Sequence, residues 1–124
     1  MSVWDTAEIE RIDGIDELEI SSYRQDRSLR RYVPIWMVAV EGHLYVRSAG
    51  GINRWYRNAL ASRTGRIRVE GREHEVRFVA ADDAPHTALG AAYHRKYDWY
   101  GPQVTSGVLA AESHGATLRV EPLK

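Results

Sequence analysis

One constellation in the 124-residue chain has residue types and a spacing suited to chemistry: Arg47-Ser48, then Gly50-Gly51, then Asn53-Arg54. A guanidinium and a hydroxyl at a strand end, glycine-exposed backbone amides and the positive end of a helix dipole together form a site for phosphate or carboxylate. Trp36 is expected opposite Arg47 across a hairpin, where its ring can take a cation–π contact or wall one side of a planar ligand. Trp55 and Tyr56 open the helix beside this corner, and Trp99-Tyr100 sit in a glycine- and proline-containing loop suited to a lid. Aromatic walls plus an anion clamp fit a flat, phosphorylated cofactor. The competing reading of the same residues is structural: Arg47 pairs with a surface acid, the glycines only turn the chain, Trp55 packs on Ala59 and Trp99 anchors its loop.

Other chemistries are poorly represented. There is no phosphate-binding G-x-x-x-x-G-K loop, no G-x-G-x-x-G, no H-E-x-x-H and no G-x-S-x-G. His86 and His94 can share a helix face, but eight residues is about two turns, too far for one ion, so no metal is expected. With no cysteine, disulfides, thiolate zinc sites, iron–sulfur clusters and thiol nucleophiles are excluded.

A composition of 44% hydrophobic and 27% charged residues is that of a globular chain, and its length fits one domain over residues 1–124. No apolar run approaches the ~20 residues needed to span a bilayer, and Met1-Ser2-Val3-Trp4-Asp5 lacks a signal-like pattern, so a soluble cytoplasmic protein without a membrane partner is expected. The net charge of zero argues against nucleic acid. That average hides a segregation: residues 1–19 carry −6, residues 20–80 carry +7 and the remainder −1. Of 17 basic residues only Lys96 and Lys124 are lysine, so the cations are nearly all planar forks that match carboxylate or phosphate.

The positioning elements follow from periodicity. Asp5 precedes a short helix with Ala7, Ile9 and Ile12 on one face, ending at Gly14. Leu18, Ile20 and Ser22 alternate with Glu17, Glu19 and Ser21 as a half-buried strand. Arg24 to Arg31 is polar, aperiodic and cationic, hence a loop. Tyr32 to Val40 reads as one strand buried on both sides, with Ile35, Met37 and Ala39 on one face and Trp36, Val38 and Val40 on the other. A turn at Glu41-Gly42 leads into His43–Ser48, pairing Ala39 with Leu44, Met37 with Val46, Trp36 with Arg47 and Ile35 with Ser48. Asn53 caps a helix through Trp55, Tyr56, Ala59 and Leu60 that stops at Gly65. A second hairpin turns at Glu70-Gly71 with Ile67, Val69, Val76 and Phe78 on one face and the pairs Arg68–Glu73 and Arg66–Glu75 on the other. Asp83 starts a helix with the stripe Ala88, Leu89, Ala92, Tyr93 and Tyr97. A short helix near Val108 to Glu112 and a last strand, Thr117–Glu121, complete a mainly antiparallel α+β barrel.

The succession Ile35-Trp36-Met37-Val38, Leu44-Tyr45-Val46-Arg47-Ser48, Trp55-Tyr56-Arg57, Gly65-Arg66-Ile67-Arg68, Ala92-Tyr93-His94-Arg95-Lys96-Tyr97 and Ala116-Thr117-Leu118-Arg119-Val120 resembles, over nearly the whole chain, the bacterial domain-of-unknown-function family numbered twenty-two fifty-five. The resemblance implies a split β-barrel of the flavin-reductase and pyridoxamine-phosphate-oxidase type, a homodimer that holds any flavin at its subunit interface. The Trp55-Tyr56-x-Asn58 helix after a strand and glycines is also similar to the deazaflavin-dependent nitroreductases, in which the strand end and helix start receive the cofactor phosphate. By position, Arg47, Ser48, Gly50, Gly51 and Arg54 would then be the phosphate end, with Trp55 and Tyr56 nearby. The paired basic residues that flavin-binding members place on opening barrel strands have no clear match, since Arg30 and Arg31 lie in or beside a loop.

The expectation is therefore a split barrel with two to three short helices, homodimeric, binding FMN or a deazaflavin and performing hydride transfer on a small molecule. The alternative is a non-catalytic module of the same fold that holds another aromatic anion or no ligand.

Overall fold

Alternating apolar residues and two tight Glu-Gly turns account for most of the architecture. In the computed structural model, which describes residues 4–48, 53–81, 84–101 and 116–123, the elements in chain order are α1 (Thr6–Asp13), β1 (Leu18–Ser22), β2 (Val33–Ile35), β3 (Met37–Val40), β4 (His43–Arg47), α2 (Arg54–Ser62), β5 (Thr64–Val69), β6 (Arg72–Ala80), α3 (His86–Tyr97), a 3-10 turn (Asp98–Tyr100) and β7 (Thr117–Pro122). The expected helix near Val108 to Glu112 lies outside the described residues. No helix among the described residues is long and apolar enough to cross a membrane.

The seven strands form one antiparallel sheet in the order β2-β1-β5-β6-β7-β4-β3. Strands β2 and β3, joined by Trp36 alone, are the two ends of that order, so the sheet curls into a nearly closed split barrel. This corrects the expectation of one strand over residues 32–40: β2 pairs with β1 while β3 pairs with β4, and a single straight strand cannot serve both edges. The alternation survives the break. Ile35 and Met37 face the main core, whereas Val38 and the half-buried Trp36 and Val40 join a second cluster beneath α3. Both faces are apolar because the barrel lies on one side and a helix on the other.

The hairpin registers match the cross-strand patterning from Met37 onward, whereas the expected pairs Trp36–Arg47 and Ile35–Ser48 do not form, because β3 begins at Met37 and Ile35 pairs with Leu18 of β1. Met37 pairs with Val46 and Ala39 with Leu44, and in the second hairpin Arg66 pairs with Glu75 and Arg68 with Glu73. Each turn has positive φ at both central residues, 55° and 81° at Glu41-Gly42 and 49° and 80° at Glu70-Gly71, the twist that suits two-residue hairpins. The barrel interior is filled by Met37, Leu44, Val46, Ile67, Val69, Val76, Leu118 and Val120, all fully buried.

Helix α2 does not run to Gly65. It ends when Arg63 enters the left-handed region at φ 67°, its amide returning to the Ala59 carbonyl. Gly65 instead lies in β5, where a Cβ would stand 2.1 Å from the Ser21 carbonyl oxygen and 2.8 Å from Phe78 Cε2. The glycine is needed for close approach of β1 and β5.

Among the described residues no strand lies beside the outer edge of β3, and side chains take over the hydrogen bonding. The Met37 amide donates to the Tyr97 hydroxyl at 3.1 Å and the Ala39 amide to Asp13 Oδ1 at 3.0 Å. The Met37 carbonyl accepts from Lys96 Nζ at 2.8 Å. Residues from α1 and α3 thereby seal the seam of the barrel and protect an open edge.

Candidate functional site

A cleft lies between the end of β1, the start of β2 and the first turn of α2. It encloses about 550 Å³ and is lined by Arg24, Arg30, Arg31, Arg54, Trp55 and Asn58 above an apolar floor of Ile20, Val33 and Ala59. Among the described residues, four arginines line it and no carboxylate does. Like charges held together in a concave wall raise its potential and attract an anion.

Local bonding explains how the arginines are held. Tyr23 and Leu29 form an isolated bridge that closes a small loop, inside which the Arg24 amide donates to the Ser28 carbonyl at 2.8 Å. Asp26 accepts from the Ser28 hydroxyl at 2.6 Å and from its amide at 3.0 Å, and these bonds, the hydroxyl's first, hold the Asp26 carboxyl below its usual range. Arg24 reaches back to Ser28 Oγ and the Leu29 carbonyl. Ser21 Oγ donates to the Arg30 carbonyl at 2.6 Å while the Arg30 amide donates to the Ser22 carbonyl at 3.0 Å, which pins the backbone of Arg30 against β1. The Arg30 Nε is buried and lacks a hydrogen-bond partner among the described residues. A buried charged donor in that state costs more than about 1–3 kcal/mol until something accepts from it.

Across the cleft, Asn53 caps α2, its side chain accepting from the Tyr56 amide at 3.2 Å. The first turn of α2 has no acidic residue and begins with Arg54. A cation there is opposed by the helix dipole, so the arrangement costs stability unless an anion arrives. Trp55 is half-buried and meets Tyr56 edge to face at 6.3 Å, with its remaining surface on the cleft.

The residues singled out from sequence divide among three places. Arg54 and Trp55 line the cleft. Tyr56 is in the barrel core at 5% exposure. Arg47 and Ser48 are buried on the side of the barrel under α3: Arg47 Nε donates to Thr117 Oγ1 at 3.1 Å, one terminal nitrogen meets His86 Nδ1 at 2.8 Å, and the guanidinium lies 5.5 Å from the centre of the Tyr93 ring. Guanidinium only donates, so Nδ1 of His86 is the acceptor and carries no proton in this contact. Burial lowers the pKa of Arg47 and raises that of Tyr93. The Ser48 amide donates to the Ala116 carbonyl at 3.0 Å. Trp36 stacks on Tyr97 at 4.0 Å with planes 3° apart, so it is Tyr93, not Trp36, whose ring receives Arg47. Gly50 and Gly51 lie outside the described residues.

Sequence reasoning missed Arg24, Arg30, Arg31 and Asn58 as cleft residues. The signal was present as an aperiodic cationic run, but spacing alone does not reveal that this loop folds back over α2.

Among curated proteins no sequence match is found. Solved structures with the same fold include a conserved hypothetical protein from Mycobacterium tuberculosis, at 11% identity and a TM-score of 0.58, covering 98% of this chain and 81% of that one. A FAD-binding protein from Mesorhizobium loti is similar at 13% identity and a TM-score of 0.54, covering 98% and 88%. An F420 reductase is similar at 17% identity and a TM-score of 0.51, covering 93% of each chain. At these identities the likeness is one of fold. Sequence kinship is more specific: residues 8–120, from α1 through the arginine loop and α2 to β7, match the uncharacterized proteins conserved in bacteria grouped as DUF2255, and the chain belongs to that family.

Proposed function

We propose that this protein binds FMN or a deazaflavin by its phosphate in the arginine cleft and works as a homodimer in hydride-transfer chemistry on a small molecule. The observation that carries the reading is Arg30, whose buried Nε lacks an acceptor among the described residues, in a cleft to which those residues contribute four arginines and no acid. A phosphate oxygen supplies that acceptor, and two neighbouring forks can bind the same group. Trp55 and the floor of Ile20, Val33 and Ala59 provide the apolar contact that a flat ring needs. When bound, such a cofactor supplies the hydride chemistry itself, so a lining of arginine, asparagine, serine, tryptophan and aliphatic residues is sufficient protein machinery. Arg24, Arg31 and Arg54 draw in and neutralise the anion, Ser21 holds the Arg30 backbone in place, and Trp55 orients the ring. The FAD-binding protein and the F420 reductase of the same fold support a cofactor of this class.

Titration of the purified protein with FMN and with a deazaflavin, followed by tryptophan and flavin fluorescence, tests the proposal. Binding at micromolar to tens of micromolar concentration is expected. Arg30→Ala should weaken it by about 1.5–3 kcal/mol, roughly tenfold to a hundredfold, the worth of a charge-assisted hydrogen bond. Absence of binding by the unaltered protein up to tens of micromolar refutes the function, and an unchanged affinity in Arg30→Ala refutes the site. Light scattering at micromolar concentration reads the dimer directly.

A further inference from the structure

The arginine cleft does not end at its arginines. Arg24, Arg30 and Asn58 also line a second hollow of about 730 Å³, which continues from the cleft along α2 to Ser62 and the start of β5. Trp55 in the first and Ser62 in the second are separated by about 10 Å along the helix axis. Arg30, whose buried Nε lacks a partner among the described residues, thus stands between two chambers and is not the end wall of one. Asn58 stands there too, and among the described residues its side-chain amide makes no hydrogen bond.

The second hollow has a different chemistry from the first. It contains a carboxylate, Asp26, whose Oδ1 accepts from Ser28 and whose Oδ2 is left to accept from a ligand. Arg27 lies over the Tyr23 ring at 5.0 Å, and the Tyr23 hydroxyl donates to Glu75 Oε1 at 2.6 Å, so a stacked guanidinium and ring are anchored at the wall. Ser62 Oγ donates to the Thr64 carbonyl at 2.8 Å and presents its lone pairs as acceptors. Asp26 opposes a second anion here. A neutral group with hydroxyls to donate and a flat ring to lie on a guanidinium suits these walls.

We propose that the phosphate held at Arg30 is internal to its ligand, so that the cofactor is a flavin dinucleotide whose far nucleoside occupies the hollow of Asp26, Arg27 and Ser62. The inference rests on the flavin reading above and narrows it. A phosphate monoester at Arg30 fills the first chamber and leaves the polar groups of the second to water. A pyrophosphate spans the boundary, where Arg24 and Arg30 face both sides and each can take oxygens of its own. Its extension then brings ribose hydroxyls and a base to the side of the trough that carries Asp26 and Arg27.

The experiment is a calorimetric titration of the purified chain, at physiological salt, with FMN, with FAD and with a deazaflavin bearing an acidic tail. FAD is expected to bind about tenfold more tightly than FMN, the effect of roughly one added charge-assisted contact. Ala61→Phe, at an exposed helix position on the second hollow, fills that hollow and should bring the FAD affinity down to that of FMN. Arg27→Ala should lower FAD affinity several-fold and leave FMN within about twofold, since an exposed charge one chamber away is screened. FMN bound as tightly as FAD, or an FAD advantage that survives Ala61→Phe, overturns the dinucleotide inference and leaves the flavin reading standing. Tightest binding of the deazaflavin overturns the nucleoside and gives the second hollow to an acidic tail. Absence of binding by all three overturns both readings together.

Discussion

Tyr97→Phe isolates the device that closes the barrel. The Tyr97 hydroxyl accepts from the Met37 amide at 3.1 Å, and its single proton is shared between the Asp16 carbonyl at 2.7 Å and the Met37 carbonyl at 3.0 Å. Burial raises the pKa of Tyr97, so the group remains a donor at any ordinary pH. Met37 is fully buried, and water cannot replace the lost acceptor for its amide. Leaving that amide unsatisfied costs about 1–3 kcal/mol, and the bond to the carbonyls is worth about 1 kcal/mol more. The ring stays, so the stack on Trp36 persists and no cavity term is added. The Met37 carbonyl still accepts from Lys96. The sum is a loss of about 2–4 kcal/mol, a large part of the ~5–15 kcal/mol that holds a domain together. Urea unfolding should show a midpoint lowered by roughly 1–2 M at unchanged slope. Amide exchange should speed up at Met37 and Ala39 before the rest of the sheet. A loss below about 0.5 kcal/mol, the scatter of ordinary surface substitutions, would refute the view that side chains seal this edge.

Two further substitutions probe the route from fold to cleft. Gly65→Ala puts a methyl group 2.1 Å from the Ser21 carbonyl oxygen and 2.9 Å from Ser22 Cα, backbone atoms that move only with β1. A destabilisation of about 3 kcal/mol or more is expected, with weakened FMN binding because Ser21 and Ser22 hold Arg30; full stability by urea titration would contradict it. His74, edge-on to Trp4 at 5.5 Å and 3.1 Å from Glu8 Oε2, ties β6 to α1. Its pKa is lowered from 6.5, chiefly by burial and then by Arg11 and Arg72, against the pull of Glu8. The unfolded chain therefore takes up this proton first, so the contribution is complete above about pH 6.5 and is lost as pH falls from there through the folded value. Unfolding midpoints at pH 7 and pH 5 should differ less in His74→Gln than in the unaltered protein; equal differences would remove His74 as the cause.

Much of the fold was legible along the chain because it rests on local rules. Glu41-Gly42 and Glu70-Gly71 set two-residue turns, the turns set register, and register put Arg66 opposite Glu75 and Met37 opposite Val46 with no long-range information. The same holds for Asn53 as a cap and for the Leu89, Ala92, Tyr93 and Tyr97 stripe of α3. The break at Trp36 was invisible, because an apolar residue between two apolar runs looks like a continuous strand until barrel closure sends β2 and β3 to opposite edges. Gly65 was open to two meanings, helix stop or close approach, and only the β1 carbonyl facing it selects the second.

The candidate site shows the same division. Sequence alone determined that cations concentrate between residues 20 and 80, that they are arginines, and that Arg54 and Trp55 begin a helix. Only the tertiary structure decided which arginines meet. It buries Arg47 under α3 against Thr117, His86 and Tyr93, and it folds the loop carrying Arg24, Arg30 and Arg31 over the start of α2. The physical reason is range: turns, caps and alternation act over a few residues, whereas convergence of charge depends on which strands the closing barrel brings side by side.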